Sequence, residues 1–169
     1  MTSRLRLYGF AAALAVLTAD QASKQAALGI APGESLPVTP FFNLVLVWNR
    51  GVSFGLFNHG APLPPVVFIV ISLIIALLFG AWLLKAENRM MALSIGAVIG
   101  GAIGNVIDRF RFGAVVDFLD FHIAGIHWPA FNVADSAIVV GIALIVFDGL
   151  FLAARKTDAN HYEQKHADQ

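Results

Sequence analysis

Residues 131–148 read FNVADSAIVVGIALIVFD, and this stretch decides the kind of fold that the chain can adopt. From Ala137 to Phe147 it holds only apolar residues and one glycine, as in a helix that crosses a lipid bilayer. Asp135 stands at the start of this run. Burying an unpaired carboxylate in such surroundings is costly. The acid therefore either caps a helix or has a chemical function.

The composition extends this interpretation to the whole chain of 169 residues. Hydrophobic residues make up 58%, charged residues 13%, and the mean hydropathy is +0.75. A soluble domain carries about 25% charged residues. The formal net charge is zero, so no overall field indicates a nucleic-acid partner. The absence of cysteine excludes thiol chemistry, disulfides and thiolate metal sites, and we expect neither a metal nor a cofactor.

Four segments are long enough to span a bilayer. The sequence predicts an all-α integral membrane protein with four transmembrane helices, forming one membrane-embedded domain over residues 1–169. The predicted spans cover about 7–28, 66–84, 90–107 and 134–154. The connections 29–65 and 108–133 then lie on one side of the membrane. The polar tail 155–169 lies on the other side and is expected to be disordered from Lys156.

The distribution of Lys and Arg predicts the orientation of these spans. Seven of the eleven basic residues lie in the N-terminal arm, in the link between the second and third spans, and in the C-terminal tail. Both termini should therefore be cytoplasmic. The stretch FFNLVLVW at 41–48 is rich in strand-forming residues, so we expect a small extracytoplasmic β-rich subdomain on the outer membrane surface.

Gly96, Gly100 and Gly104 recur every four residues in the third span. Small residues at this spacing lie on one helix face and allow close contact between helices in lipid. The same face would alternatively leave room for a substrate helix. The sequence alone leaves both interpretations open.

Several acidic residues are predicted at a similar depth near the outer side of the membrane, and intramembrane acids are candidates for function. Each also has a structural interpretation. Asp20 and Lys24 are one helical turn apart and can form an ion pair. Asp108 can form a salt bridge or a polar cluster with its neighbour Arg109. Asp135 can be a first-turn or capping acid. Asp117 lies among apolar residues, which raise the pKa of a carboxyl group.

Other polar residues indicate less. Asp120 is expected to be a solvated interfacial acid. The histidines His59, His122 and His127 lack the spacing of metal ligands and are expected at the interface. Carboxylate chemistry remains, in which two acids that share one proton activate a water molecule.

Five motifs occur in an order that resembles lipoprotein signal peptidase, the signal peptidase II family of bacteria. They are DQASK at 20–24, WNRGVSFG at 48–55, GGAIGNVIDR at 100–109, VVDF at 115–118 and FNVADS at 131–136. The resemblance implies an aspartic endopeptidase of the bacterial inner membrane. Such an enzyme cleaves prolipoproteins on the N-terminal side of a diacylglyceryl-modified cysteine, among membrane lipid, and is inhibited by the cyclic peptide globomycin.

The resemblance also implies site residues. Asp117 and Asp135 correspond to the catalytic pair. The supporting polar positions fall on Asp20, Lys24, Asn49, Gly51, Asn105, Asp108, Arg109 and Asn132. Two other classes of function remain from the residues alone: a small proton or ion transporter that uses the acids as a relay, and a noncatalytic membrane assembly factor. The predicted gathering of the acids toward one side of the membrane favours a site over a transport pathway.

Overall fold

The computed structural model describes the backbone of residues 2–51 and 63–167, and the side chains of residues 3–51 and 63–150. Residues 52–62 are outside the described part. They include the second half of the motif at 48–55, and they include His59.

Four helices form the described part of the bundle: α1 (Thr2–Ala27), α2 (Pro65–Leu83), α3 (Arg89–Phe112) and α4 (Val133–Ala167). Three segments are long and apolar enough to cross a membrane, namely Pro65–Leu83, Arg89–Phe112 and Val133–Leu150. These three candidate spans correspond to the last three predicted ones. The first predicted span is a helix but is less apolar, because Asp20, Gln21 and Lys24 lie in its last two turns.

Two helix ends differ from the prediction. Helix α3 passes residue 107 and ends at Gly113, whose φ of 70° and N–H bond to the Arg109 carbonyl form a left-handed cap. The prediction ended this helix at its first charged residue, but a backbone cap decides the end. The sequence predicted a disordered tail from Lys156, whereas the backbone of α4 continues as a helix to Ala167. Residues 151–167 contain no glycine or proline, and most of them favour helix.

Helix α3 is the centre of the bundle, with α1, α2 and α4 packed around it. A methyl group at Gly100 would collide with the Ala13 backbone of α1, and one at Gly101 would meet the Ala134 carbonyl of α4. The glycine face at 96, 100 and 104 therefore packs against α1, which confirms close helix contact. Because α1 occupies this face, it does not accommodate a substrate helix.

A four-stranded antiparallel sheet lies at one end of the bundle, in the order β1 (Ser35–Thr39), β2 (Phe42–Asn49), β3 (Val115–Ile123) and β4 (Ile126–His127). The strand at 42–49 was predicted. Its partner β3 lies in the stretch 108–133, where the sequence predicted only a connection. The pairing of β2 with β3 joins segments that are far apart in sequence. The strand propensity of one segment does not reveal its partner.

The sheet is fixed to the bundle through β3. Val116 and Phe118 form a buried cluster with Ala27, the last residue of α1, and with Ile30, which follows it. The backbone N–H of Val116 donates a hydrogen bond of 3.0 Å to an Asp108 carboxylate oxygen of α3. These contacts place Asp117, the next residue, where the C-terminal ends of α1 and α3 meet the start of α4.

Candidate active site

A buried charge cluster supports the site. The Lys24 ammonium group lies 2.9 Å from Asp20 Oδ2 and 3.0 Å from Asp108 Oδ2, and these three side chains are at most 3% exposed. The predicted pair between Asp20 and Lys24 is confirmed. Asp108, however, pairs with Lys24 and not with its neighbour Arg109. Asp20 Oδ1 also accepts a hydrogen bond of 2.9 Å from the backbone N–H of Ala134, so the cluster joins three helices.

Asn105 connects this cluster to Asp135. The Lys24 ammonium group donates to Asn105 Oδ1 at 2.9 Å, and Asn105 Nδ2 donates to Asp135 Oδ1 at 2.8 Å. An ammonium group can only donate, so it fixes the orientation of the Asn105 amide. The lysine charge thereby aims an N–H group at Asp135.

Asn132 is the N-cap residue of α4 and forms a reciprocal capping arrangement with Asp135. Asn132 Oδ1 accepts a hydrogen bond of 2.9 Å from the Asp135 N–H, and Asp135 Oδ2 accepts one of 3.3 Å from the Asn132 N–H. The predicted role of Asp135 as a first-turn acid is therefore confirmed. The cap also fixes the Asn132 amide group, whose Nδ2 donates to Asp117 Oδ1 at 2.7 Å.

Asn49 holds the other oxygen of Asp117. Its Nδ2 donates to Asp117 Oδ2 at 2.9 Å, while its Oδ1 accepts from the Gly51 N–H at 2.8 Å. Gly51 has a φ of +100°, and a methyl group there would collide with the ring of Phe68. The position therefore requires glycine.

Asp117 is 1% exposed, and burial raises its pKa to about 6. The hydrogen bond from Asn49 opposes this shift. The nearby charge of Asp135 raises the pKa further, whereas Asn132 and Lys24 lower it. The result is a carboxyl group that changes its charge close to neutral pH, as acid–base catalysis requires.

Arg109 lies in the last turn of α3 beside this network. Its Nη1 donates to the Asn105 carbonyl at 3.3 Å, and its guanidinium carbon lies 5.3 Å from the centre of the Phe68 ring. Its charge interacts with Asp135, Asp117 and Asp108 over longer distances. Arg109 therefore links α3 to α2 and contributes positive charge near both acids.

Asp120 differs from its prediction as a solvated acid. It is 6% exposed, accepts a hydrogen bond of 2.9 Å from Asn43 Nδ2, and lies 2.9 Å from His127 Nδ1. Although burial raises its pKa, the bonds from Asn43 and His127 outweigh burial and lower it. The sequence shows the apolar neighbours of Asp120 but not Asn43, which β2 brings opposite it.

His127 is half exposed, in agreement with an interfacial position, and its ring stacks on that of His122 at 4.8 Å between centroids. Within the described residues, no group of three or more His, Cys, Asp or Glu side chains is arranged to hold a metal ion.

A cleft of about 740 Å³ opens along the sheet and reaches Asp117. Val45, Val47 and Asn49 of β2 line one part of it, and Asp120 lies further along β3. The segment 127–130 forms the remaining wall, and Arg50 lies at its margin. A polypeptide in this cleft would pass over a buried carboxyl group.

Comparison with known proteins agrees with this arrangement. The sequence model of the family described as "Signal peptidase (SPase) II", peptidase family A8, matches residues 12–151. The chain belongs to the signal peptidase II family. This confirms the resemblance drawn from the five motifs and makes the chain a membrane-embedded aspartic peptidase by family.

Curated members of signal peptidase II are similar over most of their length. The lipoprotein signal peptidase of Methylobacterium sp. (strain 4-46) is 40% identical over 152 residues, which cover 88% of this chain and 92% of the relative. That of Nitrobacter hamburgensis is 44% identical over 147 residues, with 83% and 90% covered.

Two solved structures described as bacterial membrane enzymes share the fold. One has a TM-score of 0.76 at 32% identity, with 88% of this chain and 90% of that chain covered. The other has a TM-score of 0.73 at 33% identity, with 84% and 92% covered. A multi-pass membrane fold is thus common to this chain and its neighbours.

The structure brings all the predicted site residues into one region. Asp117, Asp135 and their asparagine partners are joined by direct hydrogen bonds, whereas Arg109 lies at the edge. The sequence analysis missed Gln21, whose Nε2 donates to Asp108 Oδ1 at 3.0 Å and to Asp20 Oδ2 at 3.2 Å. Its place in the first motif, beside Asp20, was the available signal.

Proposed function

We propose that Asp117 and Asp135 are the catalytic pair of this peptidase, and that it cleaves prolipoproteins on the N-terminal side of a diacylglyceryl-modified cysteine. The observation that carries the proposal is the bridge through Asn132, which donates to Asp117 and caps the helix turn that holds Asp135. One residue thereby fixes both acids relative to each other.

The hydrogen bonds support a division of labour between these acids and the asparagines. Each acid also accepts a hydrogen bond from an asparagine on another element. Asn49 of β2 donates to Asp117, and Asn105 of α3 donates to Asp135. Both amides are oriented by partners that can only donate, the Gly51 N–H and Lys24. We infer that Asn49, Asn105 and Asn132 are positioning residues that hold the acids by donating hydrogen bonds to their carboxyl oxygens.

The chemistry follows from one ionised and one protonated acid. The ionised acid takes a proton from a water molecule, which attacks the scissile carbonyl. The protonated acid donates a hydrogen bond to the carbonyl oxygen as negative charge develops there. Collapse of the tetrahedral intermediate breaks the C–N bond, and the new amine receives a proton from the acid pair.

The helix packing supports delivery of the substrate from lipid. Helices α2 and α4 each pack on α3, and in the described residues they form no extensive contact with each other. Asp135 lies at the outer end of α4 and is half buried. We infer that the signal helix of the substrate approaches through the opening between α2 and α4, while the segment near the scissile bond enters the cleft above Asp117.

The proposal includes four membrane spans in the bacterial inner membrane, with α1 as the first span and both termini cytoplasmic. The charged residues in the outer half of α1 are the buried Asp20 and Lys24, which are paired inside the bundle and do not face lipid. This pairing removes the main objection to α1 as a span, because paired internal charges are tolerated in membranes.

The decisive experiment uses the purified full chain with two precursors, one carrying the diacylglyceryl-modified cysteine and one unmodified. We expect cleavage of the modified precursor only, with the new N-terminus at the modified cysteine, and inhibition by globomycin. Equal cleavage of both precursors would contradict the proposed specificity. Absence of cleavage of both, with a folded enzyme, would contradict the proposed activity.

A further inference from the structure

One end of the sheet carries a group of exposed apolar side chains, here called the apolar tip. Its members are Phe41, Phe121, Ile123, Ile126 and Trp128, which are between 41% and 78% exposed. They line a shallow cavity of about 460 Å³ together with the two stacked histidines. No Asp, Glu, Lys or Arg occurs from 121 to 134. Such a continuous apolar surface indicates a contact surface.

The contacts along β3 show the direction in which this strand runs relative to the bundle. Near its start, Val116 is bonded to Asp108 of α3. Further along, Leu119 pairs with Phe131, just before α4 begins, and the first turn of α4 lies against Gly101 of α3. The Asn132 amide at the start of α4 also donates to the Val116 carbonyl at 3.3 Å. The strand therefore runs from the C-terminal end of α3 past the start of α4, and Leu119 lies beside the residues that lead into α4.

The tip lies beyond the point where β3 meets the start of α4. Ile123 is four residues past Leu119, or about 13 Å further along an extended strand. The ring of Phe121 in the tip stacks on that of Phe131 at 5.8 Å between centroids, just before the apolar segment Val133–Leu150 begins. The apolar tip therefore lies at the end of the bundle where this segment would enter the membrane.

The backbone at the tip is suited to a weakly hydrated environment. Phe121 pairs with Phe42 on one side, while His122 and Ile123 pair with His127 and Ile126 on the other. Backbone groups that are paired in this way can approach lipid, whereas unpaired ones cannot. The exposed Trp128 is of the residue type that concentrates at membrane interfaces.

We propose that the apolar tip inserts into the boundary between headgroups and acyl chains in the leaflet nearest the candidate active site. Because β3 carries both the tip and Asp117, insertion fixes the depth of Asp117 in the membrane. The contact adds an anchor that the helices do not supply. It rests on the membrane fold and does not depend on the nature of the substrate.

The absence of native cysteine allows a direct test with single labels. We would attach an environment-sensitive fluorophore to the thiol of the full-length variant I126C, in vesicles of phosphatidylcholine and phosphatidylglycerol. The matched control is E34C, at an exposed polar position before β1. Lipids with a quencher at a shallow acyl position should quench the I126C label several-fold more than the E34C label, and aqueous iodide should show the opposite order.

Equal quenching of both labels by iodide, without an effect of the lipid quencher, would overturn the proposal. Lipid quenching that is lost as the protein-to-lipid ratio increases would also overturn it, because the tip would then be covered by a second copy of the chain. The double variant I123S/I126S tests the consequence for depth. It should unfold in detergent at the parental temperature but cleave a vesicle-embedded precursor more slowly, and an unchanged rate would contradict the role in placing Asp117.

Discussion

Asn132 Nδ2 lies 2.7 Å from Asp117 Oδ1, and the Asn132 side chain and backbone also form both bonds of the cap with Asp135. A residue that is fully buried thus joins a strand acid to a helix acid. The position of the two acids relative to each other therefore depends on two contacts. The helix cap joins neighbouring residues, whereas the contact with β3 joins residues that are further apart in sequence.

The first prediction concerns the acid pair. Asp117→Asn and Asp135→Asn should each reduce the initial cleavage rate of a lipid-modified precursor to near background. The double variant should be hardly worse, because residues that act as a unit are not additive. The measurement is the initial rate for each variant, with thermal unfolding recorded in parallel.

Asp148→Asn is the matched control for this series. Asp148 is also buried, but it lies toward the opposite end of the bundle and accepts a hydrogen bond of 2.7 Å from Asn88. Asp120 does not serve as a control, since it lines the cleft. A folded Asp117→Asn or Asp135→Asn enzyme with the parental rate would show that the substituted acid is not catalytic.

The second prediction separates the two roles of Asn132. Asn132→Asp keeps an oxygen that can cap α4, but it replaces the N–H that faces Asp117 with a second acceptor. We expect a helix cap that is largely retained and a cleavage rate that falls strongly. Asn132→Ala should lose both roles, and the missing cap alone costs about 1 kcal/mol of stability. If Asn132→Asp cleaves at the parental rate, donation to Asp117 is not required.

The third prediction is a dependence of activity on pH. The pKa of Asp117 is raised to about 6, so this acid becomes protonated as the pH falls through that value. The pair then loses its general base, and kcat/KM should decline on the acid side of about pH 6. A pH profile of cleavage measures this limb. A rate that stays constant down to pH 4 would contradict the assignment.

The same shift predicts an effect on stability. A raised pKa means that the folded state holds the proton more tightly than the unfolded chain does. The contribution of Asp117 to stability should therefore be greatest at low pH and decline as the pH rises from about 4 through about 6. Asp117→Asn should remove this decline, as measured by thermal unfolding in detergent at several pH values.

The fourth prediction concerns the contact between α1 and α3. A side chain at Gly100 would meet the Ala13 backbone, so Gly100→Leu should destabilise the fold by about 1–3 kcal/mol and lower activity. Gly80→Leu on α2 is the matched control, because nothing lies within 4 Å of a methyl group at that position. Equal unfolding temperatures for the two variants would refute the close contact.

The fifth prediction concerns orientation in the membrane. Single cysteines replace Glu34, before β1, and Glu87, in the link between α2 and α3, both of which are exposed. A thiol reagent that does not cross the inner membrane should label E34C in cells with a permeable outer barrier, and it should label E87C only after lysis. Labelling of E87C before lysis would contradict cytoplasmic termini.

The sequence determined the helices and the chemistry of the site. Long apolar runs define α2, α3 and α4 because a bilayer requires about 20 apolar residues in a row, and the ordered motifs contain both acids and every proposed supporting residue. The pairing of Asp20 with Lys24 was also predictable, since it follows from helical spacing alone.

How these residues meet depends on packing and strand pairing, which sequence patterns do not show. Asp108 bonds to Lys24 and not to Arg109, and Asp120 is enclosed by Asn43, because residues far apart in sequence are brought together by helix packing and by pairing of β2 with β3. Local spacing carries no information about such contacts. The sequence thus specified the groups that ionise, whereas packing fixed their neighbours and, for Asp117, the pKa at which ionisation occurs.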